Sequence, residues 1–165
     1  KTVCLVDMGA RGSTINIIDR GFLKRSYSFD FGGEALNAAL SSALNIKSEE
    51  AEAVKNKEGL SQNQPQHNAF RILYPLVDLL VSEVNGICSE LPENGGNPVS
   101  EIYLTGGVAN MPGLREYFIR SIGKNASMPN YFSDFSYPHA LYETIREMAP
   151  RYSAAVGVAM GFPKV

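Results

Sequence analysis

The sequence predicts an α/β protein. A mixed five-stranded sheet, an antiparallel three-strand meander followed by parallel strands, carries helices on both faces. Three observations predict it. Residues 1–31 hold three short apolar or alternating runs separated by glycine and polar turns. Ala69–Leu91 repeats apolar residues at intervals of three and four, the period of a long amphipathic helix. Val99–Leu104 passes directly into Gly106-Gly107 and a further helical pattern, as strands of parallel sheets do.

The informative stretch is Val3–Ile18. Val3, Leu5 and Val6 suit a strand covered on both faces, and the run ends at Asp7. Gly9 and Gly12 supply backbone freedom, positive φ included. Thr14 with Ile15, Ile17 and Ile18 restarts an extended segment. An acid at a strand end before a glycine turn can hold a hydrated divalent cation, and the turn's N–H groups can face a phosphate. The same pattern is also that of an ordinary hairpin with an Asp-stabilised turn.

The rest follows in order. Phe22–Phe31 reads as a third strand, with Leu23, Arg25, Tyr27 and Phe29 on one face. Gly32-Gly33 opens a helix over Glu34–Leu44, and either approaches a ligand's ribose or phosphate or only turns a sharp corner. Ser48 is a candidate N-cap for a short acidic helix that runs to Lys57 and stops at Gly59. Ser61–Asn68 is a polar loop. Residues 46–66 hold too few apolar side chains for their own core and read as an excursion from one domain over 1–165. Within Ala69–Leu91, Pro75 requires a kink or a start nearby.

Glu93–Pro98 is a loop. In Leu104–Leu114 a strand runs into paired glycines and a helix whose early turn holds Pro112, with Gly123 as its stop. Gly106-Gly107 leaves a flat backbone surface that suits an adenine or ribose, and equally a generic strand-to-helix corner. Asn130–Phe132 reads as an edge strand, Ala140–Met148 as helical, and Ser153–Gly161 as a helix of small residues needing close approach to another element. His67 and His139 read as surface residues outside any metal-ligand spacing.

The totals bound the function. A length of 165 residues suits one domain, and a net charge of −2 gives no footprint for nucleic acid or anionic lipid. Cys4 and Cys88 read as reduced core thiols of a cytoplasmic protein. No apolar run is expected to reach the ~20 residues that cross a bilayer. The chain opens directly on a strand, which reads as an excised fragment with no signal peptide.

With Asp7-x-Gly9-x-x-x-x-Thr14, Gly32-Gly33, Leu104–Leu114 and Ala154–Gly161 placed in this order, the chain resembles the second lobe of an actin-like ATPase, a ribonuclease H-like fold. It looks most like the PilM family of type IV pilus assembly, and next like the FtsA cell-division group. The resemblance implies ATP and Mg²⁺ as ligands. Asp7 would hold Mg²⁺ through water, the backbone amides of Gly9, Arg11, Gly12 and Ser13 with the Thr14 hydroxyl would meet phosphate, Gly32 and Gly33 would lie near the ribose, and Gly106, Gly107 and Val108 would face adenosine. Arg11 stands where relatives carry a small residue, and either adds charge to phosphate binding or obstructs it.

The residues that orient an attacking water are expected in a first lobe outside this sequence, so no catalytic residue is assigned here. The implied partners are that lobe and the cytoplasmic tail of a PilN-like inner-membrane pilus protein, with a homodimer through the surface the lobe would cover as a further possibility. The implied location is cytoplasmic, peripheral at the inner membrane through partners and without insertion. The alternatives are an FtsA-like division protein, a non-hydrolysing scaffold of a pilus or secretion machine and, more distantly, a carbohydrate-kinase lobe.

Overall fold

The structure is a computed structural model that describes residues 1–61, 68–133 and 135–161. Five strands form one sheet in the order β3-β2-β1-β4-β5. They are β1 (Thr2–Met8), β2 (Ser13–Asp19), β3 (Phe22–Phe29), β4 (Glu101–Thr105) and β5 (Ala126–Ser127). The first three pair antiparallel, and β4 returns parallel to β1, as does β5 to β4. The helices are α1 (Gly33–Leu44), α2 (Ser48–Lys57), α3 (Ala69–Glu93), α4 (Leu114–Ile122), α5 (Tyr142–Met148) and α6 (Ser153–Met160).

Strand alternation places the core. Along β1, Cys4, Val6 and Met8 are buried while Val3, Leu5 and Asp7 are half-buried, and Ile15 and Ile17 continue the buried side on β2. Against it pack Leu36 and Leu40 of α1, the stripe Leu73, Val77, Leu80, Val84 and Ile87 of α3, and Phe118 of α4. Cys4 and Cys88 are free thiols inside this core. α2 adds Ala51 and Val54 to it, and the Leu60 N–H donates to the Pro112 carbonyl at 2.7 Å, fastening the segment after α2 to the chain beyond β4.

Several expectations change. Gly9 and Gly12 have no positive φ. Their need is space: a Cβ on Gly9 would lie 3.1 Å from the Gly12 carbonyl oxygen, and one on Gly12 would lie 3.2 Å from that of Phe29. The register of β3 shifts at Ile17/Ile18, where Ile17 pairs with Arg25 and Ile18 with Leu23. Lys24 is therefore the extra residue of a bulge, and Leu23 leaves the Arg25–Tyr27–Phe29 face and stays 61% exposed. β3 ends at Phe29, short of Phe31.

Ser48 is the first helical residue of α2, and Lys47 caps it, its N–H reaching the Glu50 carboxylate at 3.4 Å. α3 runs through exposed Pro75 without a break, because its long buried face outweighs one lost backbone hydrogen bond. By length and composition alone α3 could cross a membrane, contrary to the expectation of no such run, yet its apolar stripe faces the core.

The helix expected to contain Pro112 is split: a 3₁₀ turn covers Gly107–Asn110, Pro112 follows it, and α4 begins only at Leu114, behind Gly113 at φ 76°. Asn130–Phe132 is not a strand; the edge strand is Ala126–Ser127, which pairs with Ile102–Tyr103, and 131–133 form turns. The expected polar loop Ser61–Asn68 with His67 lies mostly outside the described residues. His139 stacks on the Tyr142 ring.

Candidate functional site

The site begins with register. β1 lies between β2 and β4, and Asp7 pairs with Thr14 on one side and Thr105 on the other. Directly opposed residues project to the same side of a sheet, so three polar side chains share one rim. One residue beyond Thr105, Gly106 adopts φ 88°. A Cβ there would lie 2.6 Å from Asp7 Oδ1 and 2.5 Å from the Met8 carbonyl carbon. Only glycine fits so close to the end of β1. The Gly106 N–H and the Thr105 hydroxyl both donate to the Pro150 carbonyl, at 2.7 and 2.9 Å, and bring the C-terminal segment to the same rim.

The β1–β2 turn is fastened to α1. The Gly33 N–H donates to the Gly9 carbonyl at 3.0 Å and the Glu34 N–H to the Ala10 carbonyl at 2.8 Å. The first amides of α1, which a helix otherwise offers to an anion, are thus already used. The Gly9 N–H closes on the Gly12 carbonyl at 3.0 Å, and the amides of Ala10, Arg11 and Gly12 have no backbone partner among the described residues. These are the turn's donors available to an anionic group.

Between these corners lies a cleft of about 490 Å³. Of the residues singled out in the sequence, Asp7, Gly9, Gly33, Gly106, Gly107 and Val108 line it. The other five do not. Arg11 is exposed on the turn. Gly12 backs onto β3, and Gly32 onto Ala10, whose carbonyl oxygen a Cβ would meet at 2.5 Å. The Ser13 hydroxyl donates to the Phe31 carbonyl at 2.6 Å, and the Thr14 hydroxyl accepts from Asn16 Nδ2 at 3.3 Å. Gly107 differs from its neighbour: no atom lies within 4 Å of a Cβ placed there, so its missing side chain leaves open surface.

The cleft also contains groups that the sequence reading missed. α2 supplies Glu52, Lys55 and Asn56, α1 supplies Asn37, and the segment before α6 supplies Arg151. Lys55 is only 5% exposed. Its Nζ stands 3.3 Å from a Cβ placed on Gly33, and its nearest acid, Glu52, is 4.0 Å away. Burial pushes the ammonium below the usual lysine range, Glu52 opposes that shift, and Arg151 adds to it. A sequence signal existed, since Lys55 follows Ala51 by four residues and so shares its buried face.

Asn37, 7% exposed, is one turn beyond Gly33 on α1, and its Oδ1 has no hydrogen-bond partner among the described residues. Burial raises the Asp7 carboxyl above its ordinary range. A hydrated cation beside it would favour the ionised form. A second groove, of about 740 Å³ between α5, β5 and the segment after β5, contains none of the residues singled out in the sequence.

A profile of the family described as type IV pilus assembly protein PilM matches residues 1–162. The cell division protein FtsA of Bacillus subtilis (strain 168) is 27% identical over 150 residues, covering 78% of this chain and 34% of that protein. Among solved structures, the PilM-PilN type IV pilus biogenesis complex superposes with a TM-score of 0.83 at 18% identity, over 97% of this chain and 45% of that one. MreB 5 of Spiroplasma citri bound to AMPPNP superposes with a TM-score of 0.65 at 14% identity, over 97% and 52%. The fold is that of an actin-like ATPase lobe, and the chain spans about a third to a half of these relatives.

Three outcomes follow from this geometry. Gly106→Ala is expected to lower stability by at least about 1–3 kcal/mol through the strain of a side chain at positive φ alone. Gly107→Ala, in open space, is expected to leave the denaturation midpoint within about 0.5 kcal/mol of wild type. Lys55→Met removes a buried cation whose folded-state pKa is depressed, so at neutral pH it should match or exceed wild type in stability. The wild type binds fewer protons at Lys55 when folded than when unfolded, so its stability relative to Lys55→Met should rise as pH approaches the ordinary lysine value. Urea unfolding of both proteins across that range measures it.

Proposed function

Because this chain belongs to the PilM family of type IV pilus assembly proteins, we propose that it contributes half of an ATP site to an actin-like component coupling inner-membrane pilus proteins to the cytoplasmic machinery. The observation that carries this reading is the meeting of the Asp7 strand end and the Gly106 corner at one rim, above a cleft with a buried cation. The residues fit the ligand in three respects. Gly107 leaves a bare surface at the corner, Asn37 keeps an unused acceptor, and the Ala10–Gly12 amides have no backbone partner among the described residues.

In this reading Asp7 holds Mg²⁺ through water, the turn amides meet phosphate, Lys55 and Glu52 flank the sugar, and Gly106, Gly107 and Val108 face the base. Arg11 and Thr14 keep the phosphate-side roles the resemblance implies only if the turn rearranges around the ligand, since neither lines the cleft. Bound MgATP supplies a phosphoryl group whose transfer to water depends on positioning and charge neutralisation. This chain's part is to orient the nucleotide. The group that orients the water belongs to the lobe outside this sequence.

The solved MreB 5 is bound to AMPPNP, which supports a nucleotide in this fold. The FtsA relative supports a division role as the alternative. The PilM-PilN complex supports a PilN-like partner, and the proposal adds that the partner contributes a cytoplasmic tail and holds this chain at the inner membrane. The outer side of α6 is open, with Val158 and Met160 exposed and no atom within 4 Å of a Cβ on Gly157. A first lobe, or a second copy of the chain, would cover that side and provide the close approach the small residues suggest.

Calorimetric titration with Mg-ATP tests the site. The expected result is weak binding by this chain, no turnover, and loss of binding in Asp7→Ala. Substantial hydrolysis by the chain alone, or unchanged binding in Asp7→Ala, contradicts the assignment. Pull-down with a PilN-like tail peptide tests the partner, and failure of the longer protein to retain it removes the coupling role.

A further inference from the structure

Asn37 carries, among the described residues, a buried side-chain oxygen in the cleft that the fold leaves without a hydrogen-bond partner. It is 7% exposed and lines the cleft, and its Oδ1 is buried with no hydrogen-bond donor among the described residues. A buried acceptor left unpaired costs about 1–3 kcal/mol, so its persistence points to a donor that arrives with a ligand. The other feature of this wall is the Lys55 ammonium, 3.3 Å from where a Cβ on Gly33 would stand and 4.0 Å from Glu52, its one acid partner among the described residues. Gly33 and Asn37 are four residues apart on α1 and share a face. The wall therefore presents one open acceptor and one under-paired donor, one helical turn apart.

The donor and acceptor inventory selects what fits such a wall. An ionised phosphate oxygen only accepts, and would leave Asn37 Oδ1 unpaired. An exocyclic amine only donates, and would bring a partial positive charge toward Lys55. A hydroxyl does both, donating to Asn37 Oδ1 while accepting from Lys55 Nζ.

We infer that Asn37 is a specificity-determining residue that accepts a hydrogen bond from a sugar hydroxyl of the ligand, so that the cleft selects ribonucleotides over deoxy forms. This rests on the nucleotide reading of the same cleft. Gly33 is the point where the sugar passes, because it has no side chain between Lys55 Nζ and Val108 Cγ2, each 3.3 Å from its Cβ position.

The test compares Mg-ATP, Mg-2′-deoxy-ATP and Mg-3′-deoxy-ATP by calorimetry on the full chain and on Asn37→Ala, with thermal unfolding to confirm that the variant folds. Wild type should bind at least one deoxy form about tenfold more weakly than ATP, a difference of about 1.4 kcal/mol. Asn37→Ala should bind ATP at that weaker level and no longer distinguish the two. Equal binding of all three nucleotides by wild type overturns the inference and leaves the nucleotide reading intact, and needs no variant. Discrimination that survives in folded Asn37→Ala also overturns it. Failure of wild type to bind any of the three removes the inference together with the reading it rests on.

Discussion

The structure depends on the pairing of β1 with two strands that reach it by different routes. β2 arrives through a four-residue turn, β4 only after three helices. Their registers coincide at Asp7, which faces Thr14 and Thr105 at once. That coincidence sets the rim. The turn beyond β1 and the corner beyond β4 then emerge side by side, and Gly106 fits against the end of β1 because it has no Cβ.

Other elements take their positions from this rim. The β1–β2 turn offers two carbonyls to the first amides of α1, which fixes the angle at which α1 leaves the sheet. α2 packs beside α1 and is fastened through Leu60 to Pro112, so it stands over the cleft with Lys55 directed inward. The Pro150 carbonyl takes two donors from Thr105 and Gly106 and brings Arg151 to the cleft. The cleft is thus assembled from backbone hydrogen bonds around one strand. Its charged groups are placed by helices that also build the core. The burial of Lys55 and of the Asn37 Oδ1, unpaired among the described residues, are costs to the fold that the proposed ligand would offset.

Much of the fold was legible because its signals are local and periodic. The meander was visible in alternation, α3 in its stripe, and the corner at Gly106 in a strand that ends on paired glycines. What was misread depended on distant backbone. Gly9 and Gly12 looked like residues needed for positive φ, but each is needed because another carbonyl stands close. The bulge at Lys24 cannot be seen in a chain read one strand at a time, and it reverses Leu23. β5 has two residues and pairs only because β4 has an open edge, so the aromatic segment after it looked the better strand.

In the cleft, Asp7, Gly9, Gly33, Gly106 and Gly107 were legible because their types are unusual at strand ends, whereas Gly12 and Gly32 turned out to back onto neighbouring backbone. Lys55 left only its four-residue spacing from buried Ala51 as a signal, and Asn37 and Arg151 left none, because each comes from an element whose sequence reads as an ordinary helix or turn. Only the packing of α2 on α1, and of the C-terminal segment on Thr105 and Gly106, brings them together.

The most direct measurement is an amide chemical-shift map of the ¹⁵N-labelled chain titrated with Mg-AMPPNP. If the rim is a nucleotide seat, the perturbed amides will cluster at residues 8–12, at 33–37 and at 106–108, with Lys55 and Arg151 between them. Perturbations confined to the groove beside Arg115 and Arg146, or to the far hairpin at Arg20-Gly21, would contradict it.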